Sequence, residues 1–188
     1  MDLTISIWVF WILSYCLCDS EARKYEAILS VPNGGRWGTW GQREFCPMGH
    51  ATGFALKVQP PQSVWVDDTG MNGIRLECTD GTTIESKSGR WGYWTETSYC
   101  PKGNLIAFVL NVQGSRGLFL DDTAANNIKF YCDSGTTLIG NAYEHGLYGE
   151  WSEVCSVGAI CGIQAKTEAK HGGADKTALN DVKFFCCD

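Results

Sequence analysis

The sequence predicts an all-β protein of about twelve strands in three sheets, and three observations carry that prediction. A motif recurs at constant spacing: DDTGMNGIRLEC from Asp67, DDTAANNIKFYC from Asp121 and DKTALNDVKFFC from Asp175, each 54 residues after the one before. The segments inside each copy alternate apolar and polar residues with a period of two, and no stretch shows a helical stripe. A period of this size marks a unit that cannot bury its apolar face alone and packs against its copies. Propellers of four-stranded units need at least four blades. Three copies therefore point to three sheets in a triangular prism, or to a trefoil.

Taken in order, the chain opens on an apolar run from Leu3 to Leu17 that ends in small residues around Cys16, Cys18, Ser20 and Ala22. This reads as a secretory signal peptide over residues 1–22, cleaved between residues 18 and 23, although Asp2 stands where a basic residue is usual. The run of about 15 residues is short for a membrane span, which needs ~20. Residues 23–188 are then expected to form a single secreted domain of three repeats, long enough to bury a core.

Each copy begins with a Trp-containing segment: RWGTWGQREFC from Arg36, RWGYWTETSYC from Arg90, LYGEWSEVC from Leu147. A strand follows in which Phe54, Leu56 and Val58 face one way and Ala55 and Lys57 the other; Phe108, Leu110 and Val112 repeat it. Next, Ile74, Leu76 and Cys78 alternate with Arg75 and Glu77, as Ile128, Phe130 and Cys132 do with Lys129 and Tyr131. These are half-buried antiparallel strands. A fourth strand is expected near Thr82 to Lys87. Breakers separate the elements: Pro32-Asn33-Gly34-Gly35, Pro60-Pro61, Asp80-Gly81, Ser134-Gly135 and His171-Gly172-Gly173.

Eight of the ten cysteines follow the leader, an even number in a secreted chain, which reads as disulfides. Repeat equivalence pairs Cys46 with Cys78, Cys100 with Cys132, and Cys155 with Cys186. Cys161 and Cys187 occur only in the last copy and make a fourth bridge, with exchange between Cys155 and Cys161 left open. Each bridge closes a loop of ~30 residues and contributes ~2–4 kcal/mol. No CxxC pair exists and His50, His145 and His171 lack ligand spacing, so neither a metal site nor a cofactor is expected.

The formal charge is −6 without a basic cluster, which makes nucleic acid an unexpected partner. No amphipathic segment suits membrane insertion, and a monomer is expected. No Asn-x-Ser/Thr triplet occurs, so N-glycosylation is not expected.

The candidate glycan-binding residues are Trp37, Trp40, Asp67, Asp68, Trp91, Trp94, Asp121, Asp122, Trp151 and Asp175. Paired carboxylates could bind sugar hydroxyls or act as acid and base, which glycoside chemistry needs ~5–9.5 Å apart. The third copy argues for a turn instead. There Lys176 replaces the second acid while Asp175, Thr177 and Asn180 remain, and turn geometry survives that change where a carboxylate pair does not. Residues three apart on a strand face opposite ways. One member of each pair Trp37/Trp40, Trp91/Trp94 and Tyr148/Trp151 should therefore fill the core, and the other should cover a surface where sugars stack. Glu44, Glu96 and Glu153 lie near these aromatics, but no residue is assigned a catalytic role.

VPNGGRWGTW at Val31, the DDTxxNxI motif and the closing LNDVKFFCC at Leu179 together resemble the vitelline membrane outer layer protein I family, from about Tyr25 to Asp188. The resemblance implies a β-prism of three four-stranded Greek-key sheets with pseudo-threefold symmetry. It also implies an extracellular protein of the kind first known from the outer layer of the bird egg coat. The leading expectation is a secreted structural component of a coat or mucus layer that contacts extracellular glycans or glycoproteins. The alternative is an enzyme acting on N-acetylglucosamine oligosaccharides, which the resemblance implies through activities linked to some members.

Overall fold

The computed structural model describes residues 23–59, 70–113, 124–143, 146–168 and 178–188. The expected signal peptide and the motif acids Asp67, Asp68, Asp121, Asp122 and Asp175 lie outside the described residues. The described strands are β1 (Ala27–Leu29), β2 (Thr39–Trp40), β3 (Glu44–Phe45), β4 (Ala51–Val58), β5 (Met71–Cys78), β6 (Thr83–Glu85), β7 (Tyr93–Trp94), β8 (Ser98–Tyr99), β9 (Leu105–Val112), β10 (Ala125–Cys132), β11 (Thr137–Ile139), β12 (Leu147–Tyr148), β13 (Ala159–Thr167) and β14 (Leu179–Cys187). The two long strands of each copy form where the period-two alternation is strongest, and they pair as antiparallel hairpins.

Three antiparallel sheets result. The first runs β6-β5-β4-β7, with β8 also on β4; the second runs β11-β10-β9-β12; the third runs β1-β14-β13-β2, with β3 also on β13. The sequence copies and the sheets are out of phase. Counting four strands per copy assigns each Trp segment to the hairpin that follows it, whereas β7 of copy two completes the sheet of copy one, and β12 of copy three completes that of copy two. The third sheet closes the ring with both of its outer strands, β1 and β2, taken from the start of the chain. Leu29 opposite Phe184 stands where Ile84 faces Leu76 and Leu138 faces Phe130.

Glycine makes the exchanged strands possible. Gly38, Gly92 and Gly146 precede β2, β7 and β12 with φ of 94°, 98° and 119°. A β-carbon there would come within 2.5–2.6 Å of the carbonyl oxygens of Thr167, Val58 and Val112. Only glycine tolerates both the left-handed backbone and the close approach.

The inward residues of the three hairpins meet on one axis. The Phe54 ring lies tilted at 4.6 Å from Phe130, and Phe184 packs edge-on at 5.1 Å from Phe130 and 4.7 Å from Phe108. All four are buried with Leu56, Leu76, Leu110, Ile128 and Ile163 in one cluster. Burial of each large side chain contributes about 1.5–3 kcal/mol, and the aromatic pairs add about 0.5–1.5 kcal/mol each.

The bridges are Cys46–Cys78, Cys100–Cys132, Cys155–Cys186 and Cys161–Cys187. The open choice between Cys155 and Cys161 is resolved by parity, because adjacent Cys186 and Cys187 on β14 must face opposite sides of the sheet. The first three bridges also cross between sheets. Cys46 bonds to the third sheet through its amide on Cys161 O, while Cys78 ends β5 of the first. Cys100 hangs on Thr52 of the first sheet and joins Cys132 of the second; Cys155 hangs on Ile106 of the second and joins Cys186 of the third. The fourth bridge stays within the third sheet. It is sealed on the outer face by Phe185, Phe45 and Tyr25.

Candidate functional site

Because inward residues fill the axis, the outward residues of each hairpin are what the protein offers to its surroundings. On β5, β10 and β14 these include Arg75, Lys129 and Lys183, each directly after an inward Ile74, Ile128 or Val182. Every one of these cations lies over the aromatic ring of the exchanged strand in its sheet. The Arg75 guanidinium is 4.1 Å from the Trp94 ring centre, Lys129 Nζ 3.8 Å from Tyr148, and Lys183 Nζ 4.4 Å from Trp40. Cation and ring come from different sequence copies, so each contact fastens an exchanged strand at roughly 0.5–2 kcal/mol. Sequence reasoning missed this triad. Its signal was a basic residue at the same register in all three copies, on the outward parity.

The structure corrects the expected placement of the tryptophans. Trp40 and Trp94 are half-buried on outer faces, and Trp37, Trp91 and Trp151 are 54%, 45% and 45% exposed, so none of the five fills the core. Parity fails because Gly38 and Gly92 turn the backbone between the two members of each pair. Copy three was also misaligned. Tyr148 is the equivalent of Trp40 and Trp94, since it pairs with Asn111 on β9 as they pair with Lys166 and Lys57. Trp151 is an additional aromatic, one residue before Ser152, and it packs edge-on to Tyr131 at 6.2 Å. Glu44, Glu96 and Glu153 sit beside three different sheets and are not brought together.

The motif asparagines also differ from expectation. Asn72, Asn126 and Asn180 are buried members of β5, β10 and β14 rather than turn residues. The residue after each varies: Gly73 and Asn127 are buried, and Asp181 is partly exposed. Asn127 and Asp181 do the same local work, each accepting from the following amide at 2.8 Å through Oδ1. Asp181 lies opposite Lys166 and packs against Gly34, leaving no room there for a β-carbon. Lys166 in turn donates to Gly35 O and Arg36 O, holding the loop that carries the chain across to β2.

Burial raises the proton affinity of Asp181 above the usual carboxylate range, against the opposing pull of the Val182 amide, Lys166 and Lys183. A carboxyl whose folded pKa is raised stabilises the fold below its unfolded pKa, and that contribution is lost as pH rises through the folded value. Asp181→Asn should therefore stabilise the protein at neutral pH, as the natural Asn127 shows the amide fits this position. The gain should vanish in acid below the ordinary carboxylate range. Thermal unfolding of both proteins across pH 2–8 reads the difference; a variant less stable than wild type at neutral pH would show that the lysine attraction outweighs burial.

Three antiparallel sheets around one apolar axis, fastened by exchanged strands, define a β-prism. The same architecture occurs in solved plant lectins. The chain superposes on artocarpin in complex with mannopentose with a TM-score of 0.55 at 14% identity, covering 87% of this chain and 97% of that one. On Calystegia sepium agglutinin the TM-score is 0.56 at 13% identity, covering 87% and 97%. The chain belongs to the vitelline membrane outer layer protein I family, whose sequence model matches residues 27–188. Relatives include the vitelline membrane outer layer protein 1 homologs of Homo sapiens, 46% identical over 180 residues (92% of this chain, 88% of the relative), and of Mus musculus, 45% identical over 172 residues (87% and 85%).

Among the described residues, no group of three or more His, Cys, Asp or Glu could hold a metal ion, and no helix is long and apolar enough to cross a membrane.

Proposed function

We propose that residues 23–188 form a secreted, disulfide-tied component of an extracellular coat or mucus layer. It holds glycans or glycoproteins through weak contacts repeated around the prism. The observation that supports this most is the outward placement of aromatic side chains, with Trp37, Trp91 and Trp151 about half exposed beside three different sheets. Aromatic faces stack on the apolar C–H faces of sugar rings, and amphipathic Tyr and Trp serve as binding anchors at low entropic cost. Several weak sites on one rigid body raise avidity toward a polymeric glycan without one strong site. Family membership and the lectin β-prism neighbours favour the same reading.

Incubation of the disulfide-intact protein with N-acetylglucosamine oligosaccharides, read by mass spectrometry, tests it. The expected result is retention of the sugar on immobilised protein with unchanged chain lengths. New shorter or longer chains would replace the binding reading with the enzymatic one.

A further inference from the structure

The three outer faces are built on one plan but are finished differently. In the third sheet the outward Phe185 is capped by the protein itself: Tyr25 packs on it edge-on at 4.9 Å, and the Arg43 guanidinium lies 5.4 Å from its ring centre. In the first sheet the same position is Glu77, beside the Arg75–Glu85 ion pair at 2.9 Å, so that face is charged. In the second sheet it is Tyr131, 36% exposed, with Trp151 standing at 70° to it and Ile139 half exposed beside Lys129. This corner of two rings has no capping segment among the described residues. It is also held firmly: Ser152, next to Trp151, donates its amide to Phe108 O and accepts the Phe108 amide on Oγ.

We infer that the Tyr131–Trp151 corner of the second sheet is a sugar-ring subsite, taking one pyranose unit of a neutral glycan. This rests on the glycan-binding reading and says where its strongest contact lies. Two rings at a steep angle supply a floor and a wall for the apolar face of a pyranose. The rim is polar, with the exposed Thr137 directly opposite Tyr131 on β11. Lys129 lies over the ring of Tyr148, which leaves ring faces as the main recognition surface of the corner. A second copy of the chain is the less suitable occupant. The corner offers a few apolar side chains, whereas a stable protein interface uses about 20–30 residues a side.

The test is titration of the full disulfide-intact protein with an N-acetylglucosamine tetramer and with a mannose pentasaccharide, followed by amide and indole NMR shifts. Tyr131→Ala and Trp151→Ala should each weaken binding about tenfold or more and remove the Trp151 indole shift. Trp37→Ala and Trp91→Ala remove the weaker contacts of the other two faces and should each lower affinity by a smaller factor than Trp151→Ala does, and Trp151→Phe should recover most of the loss. All four positions lie outside the core, so retained amide dispersion checks the fold. Binding that survives Trp151→Ala and Tyr131→Ala but fails in Trp37→Ala or Trp91→Ala would overturn the subsite and leave the glycan reading intact. Sedimentation showing a dimer that Trp151→Ala dissolves would replace the sugar with a second copy. No binding of either sugar by the wild type would remove both readings.

Discussion

A chain lacking residues 23–42 should fail to fold, although it keeps all eight domain cysteines and both long strands of every copy. The deletion removes β1 and β2, the two outer strands of the third sheet, and reduces that sheet to its β13–β14 hairpin with β3. It also removes the buried Leu29 and Val31 from the core and Tyr25 from the seal over Cys161–Cys187. A two-stranded hairpin is marginal in water by itself, and here it would have to carry one side of the prism. The expected result is loss of amide dispersion and of a cooperative thermal transition, both in non-reducing buffer. A peptide spanning residues 23–42 added in trans should restore part of the dispersion. A truncated chain melting cooperatively within a few degrees of the full protein would show that the terminal strands decorate the prism rather than close it.

The second large effect is expected at Phe130. Its ring contacts Phe54 and Phe184 and lies 6.4 Å from Phe108, so it touches aromatic residues from all three hairpins. Phe130→Ala should cost about 3–5 kcal/mol, combining lost transfer energy with a cavity that three tied sheets cannot collapse to fill. Equilibrium urea unfolding should show the midpoint fall with little change in slope. A loss below about 1 kcal/mol would mean that the axis repacks freely, in conflict with bridges that fix the spacing between sheets.

How much of this was legible in the sequence differs from feature to feature. The Phe54, Ile74, Phe108 and Ile128 strands were plain because period-two alternation is a local property, set by the pleat. The three equivalent bridges followed from repeat position alone. The exchange of strands did not, since nothing local to the Trp segments says which hairpin supplies the partner. The Trp37/Trp40 and Trp91/Trp94 placements failed for a backbone reason: counting faces across three residues assumes an extended chain, and Gly38 and Gly92 are not extended. The outer-face cations Arg75, Lys129 and Lys183 were visible only as the polar half of the alternation. Their rings arrive from another copy. Of the candidate site, Trp151 was found but its companion Tyr131 was not, because the two are joined only through the intervening strand β9.

The pairing of Ala27 with Cys186 has a consequence for how the chain is made. The residues synthesised first in the domain find their partners among those synthesised last. While the chain emerges, β1 and β2 have no hairpin to join, and their open edges must wait for β13 and β14. The first and second sheets can assemble during this interval from neighbouring segments. The third cannot begin its closure until residues 159–187 have been made. Contacts so distant along the chain slow folding, and unpaired strands left waiting invite association with other chains. The step that completes this domain is thus also the one that commits it, and a stall or truncation before β14 would leave β1 without a partner.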